Sequence, residues 1–156
     1  MDAREGLVFI DTDVFVIDEL FENDTRFEDN KAFLESISGE RSSTSVYNVL
    51  EFCGIIASAL KKPVDKFFVE FGEKKRVKVL YPPLVGVNLI FPEFIKAVLE
   101  RMGRGIRCGD AKILTVAEDH EVEALITWNK KRFADYTQLQ VQTPPEYLQS
   151  IKKGSN

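Results

Sequence analysis

Three acidic residues that lie far apart in the chain, Asp11, Glu51 and Asp110, have surroundings that predict a shared chemical role. Asp11 ends the apolar run Leu7–Asp11, whose composition is typical of a strand buried on both faces of a parallel sheet. Carboxylate oxygens are the ligands that Mg²⁺ and Mn²⁺ prefer, and an open site lets the ion keep part of its water. We therefore expect a divalent-metal site with Asp11 as its anchor.

Helix capping is the alternative role for Asp11, Asp13 and Asp110, because Asp is a favoured residue at helix N-termini. Asp13 fits the capping role better than Asp11 does. Asp110 follows the Gly-rich, basic segment RMGRGIRCG and opens an apolar helix, so it is also a sound N-cap. The polar cluster 127–129 favours a metal site instead, because it follows a strand that ends at the same edge of the sheet as Asp11.

Glu51 lies in the predicted helix Val46–Leu60, where its neighbours are apolar nearly all round. A buried carboxylate without a partner is costly, so such a residue usually has a cation, an ion pair or a metal beside it. The alternative is a narrow solvent-exposed stripe that Glu51 shares with Asn48. The apolar surroundings favour the first interpretation, in which Glu51 is buried and belongs to the metal site.

The elements that must position these acids alternate between strand and helix. Predicted strands are short and mostly apolar: Leu7–Asp11, Ser43–Ser45, Val77–Tyr81, Ala124–Thr127 and Leu139–Thr143. Pro82 and Pro83 end the third of them. Predicted helices lie at Asp29–Ile37, Val46–Leu60, Pro63–Phe71, Pro92–Met102, Asp110–Glu118 and Pro145–Ile151. This alternation predicts a three-layer α/β/α sandwich around a central parallel sheet, in which ligands bind beyond the carboxyl ends of the strands.

The composition, with 44% hydrophobic and 29% charged residues over 156 positions, suits a single domain spanning 1–156 with a core at about 7–150. No apolar run reaches the roughly 18–20 residues that cross a bilayer. The N-terminal segment MDAREG lacks the features of a signal peptide, so a cytoplasmic location is expected. The net charge of −4 argues mildly against nonspecific nucleic-acid binding, unless several acids surround a cation.

The metal-binding and nucleophilic residue types are few. Cys53 and Cys108 are far apart and lack ligand-type spacing, so we expect two small buried hydrophobic residues instead of a disulfide or a zinc site. The single histidine, His120, excludes any mechanism that needs two histidines.

Four segments together resemble a known family: FIDTDVFV, SVYNVLE, GDAKILTVAEDH and LITWNKKRF. In this order they are similar to the PIN-domain nucleases, and nearest to the VapC-type toxins of prokaryotic toxin–antitoxin pairs. The resemblance covers Val8 to about Val141, and the ordered set is specific although no single motif is. It implies a PIN-like fold and a Mg²⁺- or Mn²⁺-dependent ribonuclease that hydrolyses RNA phosphodiester bonds.

The resemblance also implies roles for individual residues. Asp11, Glu51 and Asp110 match the metal-binding acids, and Asn129 takes the fourth catalytic position, where many members have Asp. Thr127 matches a Ser or Thr that positions water or ligand, and Asp13 is a supporting acid. For the RNA backbone we expect basic residues on both sides of these motifs, namely Arg104, Arg107, Lys130, Lys131 and Arg132, with ordinary surface charge as the alternative.

Two departures from the family pattern affect these expectations. With Asn at 129 the site has three strong acids, so a second metal would be held loosely or only together with substrate phosphate. His120 and Glu121 stand where a Gly-containing turn is usual.

Two other functions remain open. Asp11-Thr12-Asp13 is similar to the DxD motif of haloacid-dehalogenase-like phosphatases, although that family has Thr or Val at the position of Phe15, and no matching Lys is found. The second alternative is a catalytically inactive PIN-type module that binds RNA or acts as a scaffold. The presence of all three acids argues against it.

Partners follow from the resemblance as well: an RNA substrate, an antitoxin protein, a second copy of the chain in a homodimer, and no membrane. The apolar stretches Phe52–Leu60 and Phe67–Phe71 are candidates for a dimer or antitoxin surface. An ordinary aromatic core is the alternative for these phenylalanines.

Overall fold

The first strand, β1 (Val8–Ile10), lies at the centre of a five-stranded parallel sheet in the computed structural model, which describes residues 6–82 and 90–154. The other strands are β2 (Ser42–Ser45), β3 (Lys78–Leu80), β4 (Ala124–Ile126) and β5 (Gln140–Gln142). Their order is β3-β2-β1-β4-β5, and Val8 pairs with Ser42 on one side and Ala124 on the other. The carboxyl ends of all five strands therefore meet at one edge.

Alternation along β1 divides the core into two layers. Val8 and Ile10 pack into one hydrophobic cluster and Phe9 packs into the other, and all three side chains are buried. β4 repeats the pattern, with Ile126 on the first face and Leu125 on the second. Since both faces of the sheet are covered, the apolar composition of these strands is explained and the predicted α/β/α sandwich is confirmed.

Seven helices cover the two faces within the described residues. They are α1 (Thr12–Leu20), α2 (Phe27–Ser36), α3 (Val46–Leu60), α4 (Asp65–Lys74), α5 (Ile90–Gly103), α6 (Cys108–Asp119) and α7 (Pro144–Gly154). Helices α1 to α4 and α7 contribute to the cluster around Ile10, and α5 and α6 contribute to the cluster around Phe9. Two short 3₁₀ helices, Lys130–Arg132 and Ala134–Tyr136, follow β4.

The predicted elements agree with these bounds to within a few residues, and α3 has the bounds that were predicted. The helix that Asp11 or Asp13 was expected to cap is α1, for which no bounds were predicted. Two predictions involve residues outside the described ranges. Pro83 was part of the predicted end of the third strand, and the first five residues were part of the segment in which no signal peptide was found.

The turn between α6 and β4 contains Glu121 at φ 50°, in the left-handed region that favours glycine. The family pattern has a glycine in this turn, so here a larger residue adopts the same kind of backbone conformation. Next to it, His120 Nε2 lies 2.8 Å from the carbonyl oxygen of Tyr81 and links the turn to the end of β3.

The expectation for the cysteines was half wrong. Cys53 is buried in the core, but Cys108 is exposed because it begins α6 at the protein surface. The aromatic residues in question belong to the core: Phe52 and Phe71 are buried, with ring centroids 5.1 Å apart. None of the described helices has both the length and the apolar character needed to cross a bilayer.

Helix α3 offers a matched test of the core. Ile56 is fully buried, whereas its neighbour Ile55 is 36% exposed. We expect Ile56→Ala to lower the free energy of unfolding by about 2–5 kcal/mol, since it removes buried methyl groups and leaves a cavity. Ile55→Ala should lower it by less than about 1 kcal/mol. Urea unfolding followed by circular dichroism measures both, and equal losses would contradict the placement of α3.

Candidate functional site

Asp11 occupies the position between the end of β1 and the start of α1, and its side chain is completely buried. Its Oδ1 accepts a hydrogen bond from Asn48 Nδ2 at 3.0 Å. Its Oδ2 accepts from Thr127 Oγ1 at 2.8 Å and from Arg132 Nη1 at 3.1 Å. Asp11 is the N-cap residue of α1 by position, but its side chain makes no capping hydrogen bond. The carboxylate is therefore directed into a polar site.

Asp13 also faces this site and does not cap the helix. Its Oδ2 accepts from the Trp128 backbone N–H at 2.9 Å and lies 2.9 Å from Thr127 Oγ1. Thr127 Oγ1 has one proton and lies within hydrogen-bond distance of both Asp11 and Asp13, so it can donate to only one carboxylate at a time. Thr127 therefore links the two carboxylates, and one of its two contacts is made without its proton.

The pKa of Asp11 reflects its burial beside a second carboxylate. Burial is the largest cause and raises the pKa to about 7, and the negative charge of Asp13 adds to the rise. The positive charge of Arg132 and the hydrogen bond from Thr127 offset part of it. Burial also raises the pKa of Asp13 above its ordinary value, against the hydrogen bonds from Thr127 and Trp128. Burial therefore raises the pKa of both carboxylates above their ordinary values.

Glu51 reaches the same site from α3, but it is not buried as predicted. Its side chain is 42% exposed, and Oε2 accepts a hydrogen bond from Thr12 Oγ1 at 2.6 Å. The alternative, an exposed stripe that Glu51 shares with Asn48, does not hold either, because Asn48 is buried one turn earlier on α3. Among the apolar neighbours of Glu51, Val49, Phe52 and Ile56 are buried in the core, whereas Leu50 and Ile55 are exposed. The Glu51 carboxylate extends from the helix to the rim of the site.

Asp110 comes from the first turn of α6 and is buried. The N-cap residue of α6 is Arg107, so helix capping is not the role of Asp110. Its Oδ1 accepts two hydrogen bonds from Arg132, one from Nε at 3.0 Å and a shorter one from Nη2. Asp110 thus faces the same guanidinium group as Asp11.

Arg132 connects the acids that were predicted to hold a metal. Its guanidinium contacts Asp110 and Asp11, and its Nη2 lies 4.0 Å from Glu51 Oε1. Burial lowers the pKa of Arg132, but the hydrogen bond to Asp110 and the charges of the three acids outweigh it, so the pKa lies above its ordinary value. Arg132, expected to hold the RNA backbone, lies instead among the carboxylates.

Carboxylate and hydroxyl oxygens face the site, and they are donor types that suit a hard divalent cation, whereas the Asn48 amide presents its N–H group. Asp13 Oδ1 is buried and has no hydrogen-bond partner within the described part of the chain. Within residues 6–82 and 90–154, no three acidic, His or Cys side chains come close enough together to hold an ion. The oxygen donors are thus of the right kind for such an ion, but the guanidinium of Arg132 lies between Asp11 and Asp110, and no three acids converge on one point within the described residues.

An open cavity of about 300 Å³ adjoins Asp110. Arg107, Lys131 and Arg132 line it together with Asn129, so the structure brings three of the five basic residues and the fourth catalytic position to one place. Asn129 is exposed, and its backbone N–H donates to Thr127 Oγ1 at 3.1 Å. The remaining two basic residues lie elsewhere: Lys130 pairs with Glu146 at 2.7 Å, and Arg104 lies over the ring of Tyr136.

Asn48 and Thr12 are site residues that the sequence analysis missed. Asn48 Nδ2 donates to Asp11 and to Thr12 Oγ1, each at 3.0 Å, while its own Oδ1 is held by the N-cap residue Ser45. The sequence could have pointed to Asn48, because Ser45 and Asn48 have the spacing of a capping box at the start of α3. The capping box fixes the amide that orients Asp11.

A larger cavity, of about 470 Å³, lies between α1, α2 and the end of α4. Charged residues of both signs line it, and Lys75 there pairs with Asp18 at 2.8 Å and Glu19 at 2.7 Å. It is lined by none of the predicted site residues, so the larger of these two cavities is not the one beside the predicted acids.

Asp11 makes stability depend on pH. The folded state raises its pKa to about 7 from an ordinary value of 3.8, so the folded protein holds a proton that the unfolded chain releases. The free energy of unfolding should therefore fall as pH rises from about 4 to 7, and Asp11→Asn should remove up to about 1.4 kcal/mol per pH unit of that slope. Asp29→Asn, the same change at an exposed position of α2, should keep the parental slope. Equal slopes for Asp11→Asn and the parent in urea unfolding would contradict the assignment.

No protein-family model matches the chain, and no curated protein matches it by sequence. Solved structures do match its fold. VapC20 of Mycobacterium tuberculosis, described as a toxin that cleaves the sarcin–ricin loop, is 13% identical with a TM-score of 0.62, over 85% of this chain and 98% of that one. A toxin–antitoxin complex from Klebsiella pneumoniae is 20% identical with a TM-score of 0.59, over 88% and 97%.

FitAcB from Neisseria gonorrhoeae is also similar, with 20% identity and a TM-score of 0.56 over 88% of this chain and 98% of that one. The sequence match is low in every case, so the likeness concerns the fold. It extends over nearly the full length of the matched structures. The chain therefore has the PIN-like α/β fold of the VapC-type toxins, as its sequence resemblance predicted.

Proposed function

We propose that this protein is a metal-dependent endoribonuclease that hydrolyses RNA phosphodiester bonds and acts as the toxin of a toxin–antitoxin pair. The observation that carries the proposal is that Asp11, Glu51 and Asp110, from three separate parts of the chain, all face the guanidinium of Arg132. Carboxylates gathered at the carboxyl edge of a parallel sheet, next to a basic cavity, suit the binding of an ion and a phosphate together.

In this proposal Asp11 and Asp110 are the main ligands of Mg²⁺ or Mn²⁺, and Glu51 contributes from the rim. The bound ion would lower the pKa of a water molecule and polarise the phosphate. Asn48 and Thr127 orient the Asp11 carboxylate through the hydrogen bonds described above. Asn129, which lines the cavity without a charge, is a weaker fourth donor and favours a single firmly held ion.

Binding of RNA is assigned to the cavity beside Asp110. Arg107 and Lys131 line it and offer the positive charge that a phosphate requires. This local charge offsets the net charge of −4, because the basic residues are concentrated where the substrate would lie. The contacts with RNA phosphate are assigned to this cavity alone, because Lys130 forms an ion pair with Glu146 and Arg104 packs on the ring of Tyr136.

The toxin assignment and its partners rest on the structural neighbours, two of which are a toxin–antitoxin complex and a Fit protein. Exposed aliphatic side chains on α3, α4 and α5 offer a surface for an antitoxin or a second copy of this chain: Leu50, Ile55, Leu60, Val69, Ile95, Leu99 and Met102. We propose a cytoplasmic homodimer that an antitoxin holds inactive.

Light scattering during size-exclusion chromatography tests the dimer. The expected mass is that of two chains, and Leu99→Glu should shift it towards one, because a charge on an exposed apolar face opposes its burial. Glu93→Gln, a surface change on the same helix, serves as the control. A clean monomer of the parent at high concentration would contradict the dimer.

The phosphatase alternative has less support. Phe15, at the position where that family has Thr or Val, is buried in the core with its ring centroid 5.1 Å from that of Phe71. It therefore offers no polar group to a substrate phosphate. No other observation favours this function.

Cleavage of RNA in Mg²⁺ or Mn²⁺ tests the proposed activity. Asp11→Asn and Asp110→Asn should each lower the rate at least about a hundredfold, the scale on which loss of one charge-stabilising group acts. Asp119→Asn, at the exposed end of the same helix as Asp110, should keep the parental rate. Circular dichroism of each variant shows that it is folded.

Three results would contradict the proposal. Undiminished cleavage by both site variants would remove the assigned residues from the reaction. RNA binding without cleavage in either metal would favour the inactive module. Turnover of p-nitrophenyl phosphate, lost in Asp11→Asn, would favour the phosphatase.

A further inference from the structure

We propose that Arg132 is the internal counter-ion of the acidic site and competes with the divalent cation for Asp11 and Asp110. The inference rests on the proposed function, because it presumes that these acids bind a metal. It adds that the metal-free protein holds its own cation in the site. Metal binding is then an exchange in which Arg132 leaves as the ion enters.

The contacts of Asp11 explain why the two cations cannot share it. Its Oδ1 is used by the Asn48 amide, which is itself fixed by the capping box of α3. Its Oδ2 is the oxygen left for an ion, and it already accepts from Thr127 Oγ1 at 2.8 Å and from Arg132 Nη1 at 3.1 Å. A metal bound by Asp11 Oδ2 therefore displaces the hydrogen bond from Arg132.

The same conflict exists at Asp110. Arg132 donates to its Oδ1 through both Nε and Nη2, the side-on arrangement that gives guanidinium–carboxylate pairs their strength. Because Nη1 of the same planar group reaches Asp11, the guanidinium spans the gap between the two acids. It is the cation around which the predicted metal ligands gather within the described residues.

Charge balance makes this position favourable without a metal. Two buried carboxylates that face the same guanidinium repel one another, and the positive charge between them lowers the cost of their burial. Removing Arg132 would leave Asp11 and Asp110 close together with no compensating charge. A divalent cation would then bind more tightly for two reasons: no arginine competes for its ligands, and its charge relieves the repulsion between them.

The surroundings of Arg132 permit it to move. It lies in the short 3₁₀ helix Lys130–Arg132, its side chain is 25% exposed, and it borders the cavity of about 300 Å³. Turning away from the acids would bring the guanidinium into this cavity beside Arg107 and Lys131. There it would join the charges assigned to the RNA phosphate.

Isothermal titration calorimetry with Mn²⁺ alone tests the exchange on the full chain. Arg132→Gln should bind Mn²⁺ at least about tenfold more tightly than the parent, which corresponds to about 1.4 kcal/mol. Arg132→Lys keeps the charge but cannot span both acids, so its affinity should lie between the two. Lys130→Gln, which removes a charge from the same 3₁₀ helix at a residue that pairs with Glu146 and not with a site acid, should bind as the parent does. Asp110→Asn should bind at least about tenfold more weakly.

Thermal unfolding gives a second readout that does not need activity. Without metal, Arg132→Gln should melt at a lower temperature than the parent, and saturating Mn²⁺ should raise its melting temperature by more than it raises that of the parent. Arg132→Lys remains informative if Arg132→Gln fails to fold.

The outcomes separate this inference from the proposed function. Mn²⁺ binding to the parent, with equal or weaker binding to Arg132→Gln and Arg132→Lys, would overturn the exchange and leave the metal site in place. No Mn²⁺ binding to the parent or to either Arg132 variant would overturn the metal site, and the exchange with it.

Discussion

Burial of the Asp11 carboxylate at the end of the central strand is the constraint on which the rest of the site depends. A completely buried carboxylate requires partners from every neighbouring element. Asn48 supplies an amide from α3, Thr127 supplies a hydroxyl from the end of β4, and Arg132 supplies a positive charge from the following 3₁₀ helix. The strand order places β4 directly beside β1, so these partners converge only when the whole sheet has formed.

This arrangement connects stability with chemistry. The contacts that make burial of Asp11 tolerable are also those that orient its oxygens, and the charge that offsets the acids stands where a metal would bind. The guanidinium of Arg132 therefore offsets the charge of the acids without an ion, and it is the group that a divalent cation would displace. A nuclease built in this way would keep its carboxylates in place before the metal binds, and its activity would depend on the concentration of the metal ion.

Much of the fold follows from local pattern. The apolar strands β1 and β4 and the bounds of α3 were predictable because composition and periodicity are local properties of a segment. The convergence of Asp11 and Asp110 at one edge was predictable as well, from the rule that parallel strands end together. What failed were features that depend on how far a helix extends beyond the sheet. Glu51 was expected to be buried from its neighbours, but one turn along α3 separates the buried Asn48 from the half-exposed Glu51.

The place of Arg132 could not be predicted either, since side-chain reach and the balance of buried charge are properties of the folded site. The most direct measurement is a crystal structure with Mn²⁺, in which anomalous scattering locates the ion. The expected result is a Mn²⁺ peak between the carboxylates of Asp11 and Asp110, with Arg132 turned into the neighbouring cavity. At saturating Mn²⁺, the lack of a peak between these acids, with Arg132 still bonded to both, would contradict the metal site.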